Sequence, residues 1–353
     1  MHILSVVGAR PQFIKLAPFS REARRRGHQE TLLHTGQHYD EGMSDRFFRE
    51  LNLPAPAINL GVGSGSHATM TARALEGIAA EIEARQPSLV VVFGDTNSTL
   101  AGALAAAKLH VPVAHVEAGL RSFNRAMPEE VNRVLVDHCS DLLLAPNTTA
   151  MHNLATEGLA ARAVQVGDIM VDALYTVRET APAASEVLTE LGVPSGPFSL
   201  LTIHRASNTD DPASLSAILA GLVGAGTVVF PVHPRTRAAL AAHQLELPAN
   251  VTPVEPQGYA QLVALAGAAD TVITDSGGLQ KEAYLLETPC ITLREETEWT
   301  ETVELGWNVL TGADTARITA VLQAPPRGAT HPSIYGDGAA AAAILDAIDA
   351  RFA

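Results

Sequence analysis

TVITDSGGLQKEAYLLETPCITL, residues 271–293, reads as a strand, a turn of small residues, a helix and a second strand. Thr271–Thr274 is a short β-branched run, Asp275-Ser276-Gly277-Gly278 supplies the turn, and Leu279-Gln280-Lys281-Glu282 opens a helical pattern leading to the strand candidate Cys290–Leu293. Such a unit is the building block of a parallel sheet covered by helices. The same alternation runs the length of the chain, with further strand candidates at Ile3–Val7, Thr31–His34, Leu89–Phe93, Val113–Val116, Leu142–Ala145, Ser199–Ile203 and Thr227–Val232. The pattern predicts an α/β fold. The candidates fall into two groups separated by Ala181–Pro197, rich in Pro, Ser, Gly and Ala, which puts the division near Val166–Val193. We expect one domain over residues 1–166 and a second over 167–337, with the Ala-rich helical pattern of residues 338–353 packing back on the first.

A chain of 353 residues suits two such domains with a cleft between them. With 47% hydrophobic and 18% charged residues it can bury a core in each half, and no apolar run approaches the ~20 residues of a membrane span. The opening MHILSVVGARPQ lacks a basic leader and goes directly into a strand-like run, so the expected location is the cytoplasm. Cys139 and Cys290 form neither a CxxC pair nor a disulfide framework and read as inert buried thiols. A formal net charge of −14 argues against nucleic acid or an anionic membrane as partner. A small anionic ligand would need cations gathered locally, and Arg10 with Lys15, Arg121 with Arg125 and Arg133, His204 with Arg205, and His233 with Arg235 and Arg237 are such clusters.

The suggestive residues follow strands and precede helices, where an open parallel sheet places its ligands. After the first strand, Gly8-Ala9-Arg10-Pro11 puts Arg10 at a helix N-terminus with Lys15 about a turn on, a candidate anion site or a surface arginine. The Gly-x-Gly-x-x-Gly fingerprint is absent, which weakens any mechanism needing tightly held NAD. Asp95, in Gly94-Asp95-Thr96-Asn97, could cap a helix or handle protons. Glu117 at a strand end is soon followed by Arg125, Glu129, Glu130 and Arg133, carboxylates and arginines of the kind an anomeric bond-breaking site requires. His204 and His233 stand at equivalent strand ends, so lining a cleft competes with a structural role for each. His34 and His38 lack an evident third ligand, and we expect no metal. The small residues Ser276, Gly277 and Gly278 let backbone N–H groups approach a phosphate, and Glu282, about one and a half turns into the helix, can accept both ribose hydroxyls of a nucleotide.

Taken together, GARPQFIKLAP, TGQHYD, GDTNST, HVEAGLRS with MPEEVNR, VGD, TIHR, PVHPR and TDSGGLQKEA closely resemble the non-hydrolysing UDP-N-acetylglucosamine 2-epimerases, collinearly over most of residues 3–312. The resemblance implies two Rossmann-like domains facing across a cleft, the GT-B type shared with a large glycosyltransferase class, with UDP held mainly by the second. It also implies a homodimer without metal, nicotinamide or other cofactor, acting on a UDP-sugar. Carried over by position, it implies an active-site and UDP-binding set of Arg10, Lys15, Asp95, Glu117, Glu129, His204, Gln257, Ser276, Gly277, Gly278 and Glu282, with Arg133 beside it. We expect Asp95, Glu117, Glu129 and His204 to be catalytic and the others to bind substrate.

The chain departs from the best-known bacterial members at three places. Ser207 replaces the usual Glu after His-Arg-Ala, and Tyr39-Asp40-Glu41-Gly42-Met43 replaces the segment tied to their substrate-activated allosteric site. Thr297-Glu298-Trp299 stands where they have Thr-Glu-Arg, a version that, with Gly306-Trp307-Asn308, looks like members acting on archaeal-type or 2,3-diacetamido-uronic substrates. The expected reaction interconverts UDP-N-acetylglucosamine and UDP-N-acetylmannosamine by elimination and re-addition of UDP. A 2-epimerase of a UDP-2,3-diacetamido uronic sugar and a GT-B glycosyltransferase are the competing readings.

Overall fold

The computed structural model describes residues 1–36 and 53–352, the side chain of Arg10 excepted. It divides into two compact units, Met1–Thr176 with Ser333–Ala353, and Val177–Pro332. The chain leaves the first unit within the helix Ile169–Thr180. Among the described residues no helix is long and apolar enough to cross a membrane.

The first unit is a seven-stranded, all-parallel sheet: β1 (His2–Val7), β2 (Gln29–His34), β3 (Ile58–Asn59), β4 (Leu89–Phe93), β5 (Val113–Val116), β6 (Leu142–Ala145) and β7 (Ala163–Gln165), in the spatial order β3-β2-β1-β4-β5-β6-β7. All five residues of β4 are inaccessible to solvent. That follows from helices on both faces, which make a central parallel strand read as an unbroken apolar run. On one face the helices His67–Arg85 and Asn97–Lys108 press Ala74, Ile78, Ile82, Ala101 and Ala105 against Leu4, Val6, Val90 and Val92. The alanine-rich second helix also brings Gly102 close to the sheet, where a Cβ would stand 3.0 Å from Val92 Cγ1. The helix Arg10–Arg25 packs against the C-terminal helix Ala340–Phe352. That last helix is tied down at both ends. Asp172 accepts from the N–H groups of Ala340 and Ala341 at 3.1 and 2.9 Å, and Arg26 meets Asp346 and Asp349 at 2.7 and 3.2 Å.

The second unit repeats the plan with β8 (Phe198–Thr202), β9 (Thr227–Pro231), β10 (Val251–Val254), β11 (Thr271–Thr274), β12 (Cys290–Thr292) and β13 (Asn308–Leu310), all parallel, ordered β10-β9-β8-β11-β12-β13. Leu200, Val229 and Val272 face the helices Ala184–Glu190, Tyr259–Ala268 and Gly277–Leu285, while Leu201, Phe230 and Ile273 face Pro212–Gly221 and Thr315–Gln323. Both sheets have the Rossmann strand order, which reverses between β1 and β4 in the first and between β8 and β11 in the second. Four short strands, β3, β7, β10 and β13, were not evident in the sequence pattern, and each lies at the edge of its sheet.

At the first reversal the chain turns through Gly8, where a Cβ would fall 2.0 Å from Ser98 Oγ and 2.2 Å from Thr35 Oγ1, two hydroxyls hydrogen-bonded at 2.7 Å. Gly8→Ala should therefore destabilise the first unit by about 1–3 kcal/mol, the usual range for overpacking, as read by urea denaturation. Wild-type stability would show that the turn yields more easily than its packing implies.

Candidate active site

In the first unit Gln12 fastens the loop after β1 to the end of β4. Its Oε1 accepts from the amides of Gly8 and Ala9 at 2.8 and 2.9 Å, and its Nε2 donates to the Phe93 carbonyl and to Thr99 Oγ1 at 2.8 and 3.0 Å. Arg10 opens the helix that follows, its side chain lying outside the described part. Lys15, on the same helix, is nearly buried with Nζ 2.6 Å from Glu117 Oε2. Burial alone would lower the Lys15 pKa, but the Glu117 carboxylate, aided by Asp95 and Asp168, outweighs it and holds the ammonium above its ordinary value.

Glu117 occupies the left-handed region at φ 72°, an uncommon conformation for a residue with a Cβ and one found at functional sites. Gly94, at φ 63°, makes room for the pair, since a Cβ there would approach Lys15 Nζ to 3.3 Å. Asp95 forms a close ion pair with Arg133, which also meets Glu130 at 3.1 Å. Glu130 is committed elsewhere, accepting from Ser122 N, Ser122 Oγ and Phe123 N at 2.9 Å each. Glu129 is half-buried and its side chain makes no hydrogen bond or ion pair with the described residues. The three candidate carboxylates thus stand in different settings: Glu117 against lysine, Asp95 against arginine, Glu129 against neither. Arg121, grouped above with Arg125 and Arg133 as a ligand cation, is spent internally on Asp137 at 2.7 Å and Glu157 at 2.8 and 2.7 Å, with its side chain 1% exposed.

In the second unit a buried carboxylate organises the reversal point. Asp275, just after β11, accepts from the amides of His204 at 3.1 and 3.0 Å and Arg205 at 3.0 Å, and from Asn208 Nδ2 at 3.1 Å. Its Oδ1 lies 3.0 Å from His204 Nδ1, so it aims the imidazole while the ring stays 41% exposed. The His204 and His233 rings are neighbours, 5.8 Å between centroids. Burial pushes Asp275 up, but the His204 hydrogen bond and charge and the two backbone amides outweigh it and leave the carboxyl below its ordinary range.

Ser276 caps the helix Gly277–Leu285 through Leu279 N at 3.4 Å. A Cβ on Gly277 would lie 2.0 Å from Glu298 Oε1, so a carboxylate, held by Arg294 at 2.9 Å, already faces this helix N-terminus. Trp299 donates its indole N–H to the Gly277 carbonyl at 2.7 Å beneath the Lys281 ammonium, 4.4 Å from the ring centroid. Glu282 is buried and fixed by the Tyr259 hydroxyl at 2.8 Å. Gln257 lies in the loop before the Tyr259 helix and donates to the Glu255 carbonyl at 2.6 Å.

The sequence model of the family described as UDP-N-acetylglucosamine 2-epimerase matches residues 21–349. The chain belongs to the UDP-N-acetylglucosamine 2-epimerase family. It is an epimerase of two Rossmann-like domains of the GT-B type. It is 44% identical over 355 residues to a UDP-N-acetylglucosamine 2-epimerase homolog of Methanococcus maripaludis, spanning 99% of each chain. It is 46% identical over 321 residues to the UDP-2,3-diacetamido-2,3-dideoxy-D-glucuronate 2-epimerase of Pseudomonas aeruginosa, spanning 89% of each. The crystal structure of the Methanocaldococcus jannaschii UDP-GlcNAc 2-epimerase, in complex with UDP-GlcNAc and UDP, superposes with a TM-score of 0.89 at 38% identity, covering 99% of this chain and 100% of that one.

In this epimerase, then, Lys15, Glu117, Asp95 and Arg133 come together at the first reversal, and His204 with the Ser276–Gly278 turn at the second. Gln12, Asp275 and Tyr259 support them and were missed by sequence reasoning. Asp275 had a visible signal, since it opens the Ser-Gly-Gly turn, whereas Gln12 and Tyr259 look like ordinary helix residues. Ser207 is exposed on the short helix Ala206–Thr209 and makes no side-chain hydrogen bond among the described residues. His34 Nδ1 accepts the Gly36 amide at 2.8 Å. His38 and the Tyr39–Met43 segment lie outside the described residues.

Because Asp275 is depressed in the folded state, its stabilisation is fully present above the ordinary aspartate value of 3.8 and disappears as pH falls through the lower folded-state value. Asp275→Asn should flatten this acid limb of the second unit's stability and lower stability at pH 7 by about 2 kcal/mol. Denaturant titrations at pH 7 and at pH values below 3.8 check this, and an unchanged acid limb would mean that Asp275 is not the group titrating.

Proposed function

We propose that this epimerase interconverts UDP-N-acetylglucosamine and UDP-N-acetylmannosamine by eliminating UDP to 2-acetamidoglucal and adding it back. The observation that carries the reading is the pair of carboxylate–cation contacts at the first reversal, Glu117 with Lys15 and Asp95 with Arg133, with Glu129 unpaired among the described residues. C2 of a 2-acetamido sugar is not adjacent to a carbonyl, so its proton becomes removable only as C1 turns electron-poor. Departure of UDP does this: the C1–O bond breaks with its electron pair going to the diphosphate, the C2–H pair becomes the C1=C2 double bond, and a carboxylate takes the proton. In the return step a UDP oxygen bonds to C1 and a proton is delivered to the opposite face of C2. Two faces require two acid/base groups or one mobile group, and Asp95, Glu117 and Glu129 supply them. The reaction is redox-neutral and needs neither nicotinamide nor metal.

In this reading the Ser276-Gly277-Gly278 amides and His204 take the charge developing on the diphosphate, His204 aimed by Asp275. Glu282, held by Tyr259, takes the ribose, and Gln257 completes the UDP set. Lys15 pairs with Glu117 and Arg133 with Asp95, which fixes where these two carboxylates stand. The protein acts as a cytoplasmic homodimer supplying surface-polysaccharide synthesis. A second reading, a UDP-2,3-diacetamido uronic substrate, is favoured by the Thr297-Glu298-Trp299 version of the motif and by the Pseudomonas relative.

Proton NMR in D₂O with each UDP-sugar and no acceptor distinguishes the readings. We expect a second anomeric signal and deuterium at C2 of the product. Retained C2 hydrogen or a need for NAD overturns the elimination, an acceptor requirement points to a glycosyltransferase, and turnover of the uronate alone selects the second reading. Glu282→Ala should raise KM by about tenfold or more with little loss of kcat, because ribose contacts are equal in ground and transition states. A collapse of kcat with UDP affinity intact would overturn the ribose assignment.

A further inference from the structure

His115 lies within β5, two residues before Glu117, and is wholly buried. Its Nδ1 is 2.7 Å from Asp137 Oδ1 and its Nε2 is 2.8 Å from the main-chain carbonyl of Gly94. A carbonyl has no proton to give. Asp137 has none either: its Oδ2 is ion-paired with Arg121 at 2.7 Å and accepts from the Gly119 amide at 3.1 Å, the contacts of a carboxylate. Each ring nitrogen therefore has to donate, and a neutral imidazole carries only one N–H. The surrounding charges allow the second: Arg121 joins Asp137 at 2.7 Å and the partly exposed Glu157, which also faces His138, at 2.7 Å, so two carboxylates stand beside the ring and Arg121.

The two contacts reach both turns that carry candidate acid/base groups. Gly94 sits in the left-handed region immediately before Asp95, and its carbonyl is held by the ring. Asp137, on the ring's other side, accepts from the Gly119 amide at 3.1 Å, just past Glu117. The same helix that bears Asp137, Pro128–Cys139, bears Arg133, the partner of Asp95.

We propose that His115 is a positioning residue, a buried imidazolium whose two N–H groups brace the Gly94–Asp95 turn against Asp137 and so hold Asp95 in register with Glu117. It touches no reacting atom. Its importance for turnover rests on the proposed epimerisation, whereas its double protonation does not.

Two measurements test it on the full-length protein. In ¹⁵N-histidine-labelled enzyme at pH 7, the His115 ring should show two protonated nitrogens, each bearing a slowly exchanging proton; a single protonated nitrogen overturns the proposal whatever the activity. The second compares His115→Gln, whose amide nitrogen falls near the Nε2 position and keeps the bond to Gly94, with His115→Asn, whose amide falls near Nδ1 and keeps only the bond to Asp137. We expect kcat to fall by roughly 10–100-fold in the Asn variant and clearly less in the Gln variant, with UDP affinity within about twofold of wild type in both, since small misplacements of a catalytic group cost on this scale. Equal losses, or losses that track denaturant stability, overturn positioning and leave a structural ion pair. If the Asn variant does not fold, a Gln variant as inactive as that misplacement implies overturns it, and a Gln variant near wild type supports it. A wild-type protein that epimerises no UDP-sugar refutes the proposed function, and the ring's protonation is still decided by the nitrogen spectrum.

Discussion

A parallel strand can be followed only by a long crossover, so where two neighbouring strands send their helices to opposite faces the loops behind them diverge and leave backbone N–H groups open at the sheet's carboxyl edge. This happens between β1 and β4 and again between β8 and β11. The loops that follow these four strands, with the first residues of the helices after them, hold Gly8 to Arg10, Gly94 and Asp95, His204 and Arg205, and Asp275 to Gly278. Strand order thus decides which of many strand-end residues come to stand beside one another. Pro234, after β9, opens a helix that His233 caps through the Arg235 amide at 3.2 Å, a structural use of a very similar sequence position.

Divergent loops would be loose without ties, and each unit ties them with one buried polar side chain. In the first, Gln12 spans from the Gly8 and Ala9 amides to the Phe93 carbonyl. In the second, Asp275 gathers the His204 and Arg205 amides beside its own strand. A buried polar group is worth having only when its hydrogen-bonding capacity is filled, and both side chains fill theirs with loop backbone together with a neighbouring side chain, Thr99 for Gln12 and Asn208 and His204 for Asp275. Side-chain contacts of the same kind also orient neighbouring polar groups. Asp275 orients His204, and the His115–Asp137 pair steadies the turn before Asp95 while Lys15 and Arg133 set the charge around Glu117 and Asp95.

The central strands were legible because they are buried on both faces. Leu89-Val90-Val91-Val92-Phe93 has no polar residue to confuse its reading, and the observed β4 has the expected limits. The edge strands were not. Ile58–Asn59 has two residues, Ala163–Gln165 ends in two exposed positions, and Val251–Val254 contains Pro253, tolerated because an edge need not donate on its free side. Asn308–Leu310 begins with a buried Asn that serves Gln280 and Thr302 rather than with an apolar residue. An edge strand has fewer neighbours to satisfy and leaves a weaker mark on its own composition.

The sequence by itself determined the class of fold, the small-residue turns and the residue types at strand ends, because apolar periodicity, glycine and capping residues act over a few positions of chain. It also determined family membership, through motifs in collinear order. Only the tertiary structure decided which partners those residues have. Lys15 and Glu117, 2.6 Å apart, come from a helix and a strand end far apart in sequence, and Arg121 turned from a candidate ligand cation into an internal strut once Asp137 and Glu157 closed on it. Charge pairing depends on distance in space, which falls steeply in effect beyond contact, and no local pattern encodes which of several arginines will meet which carboxylate once the sheet is closed.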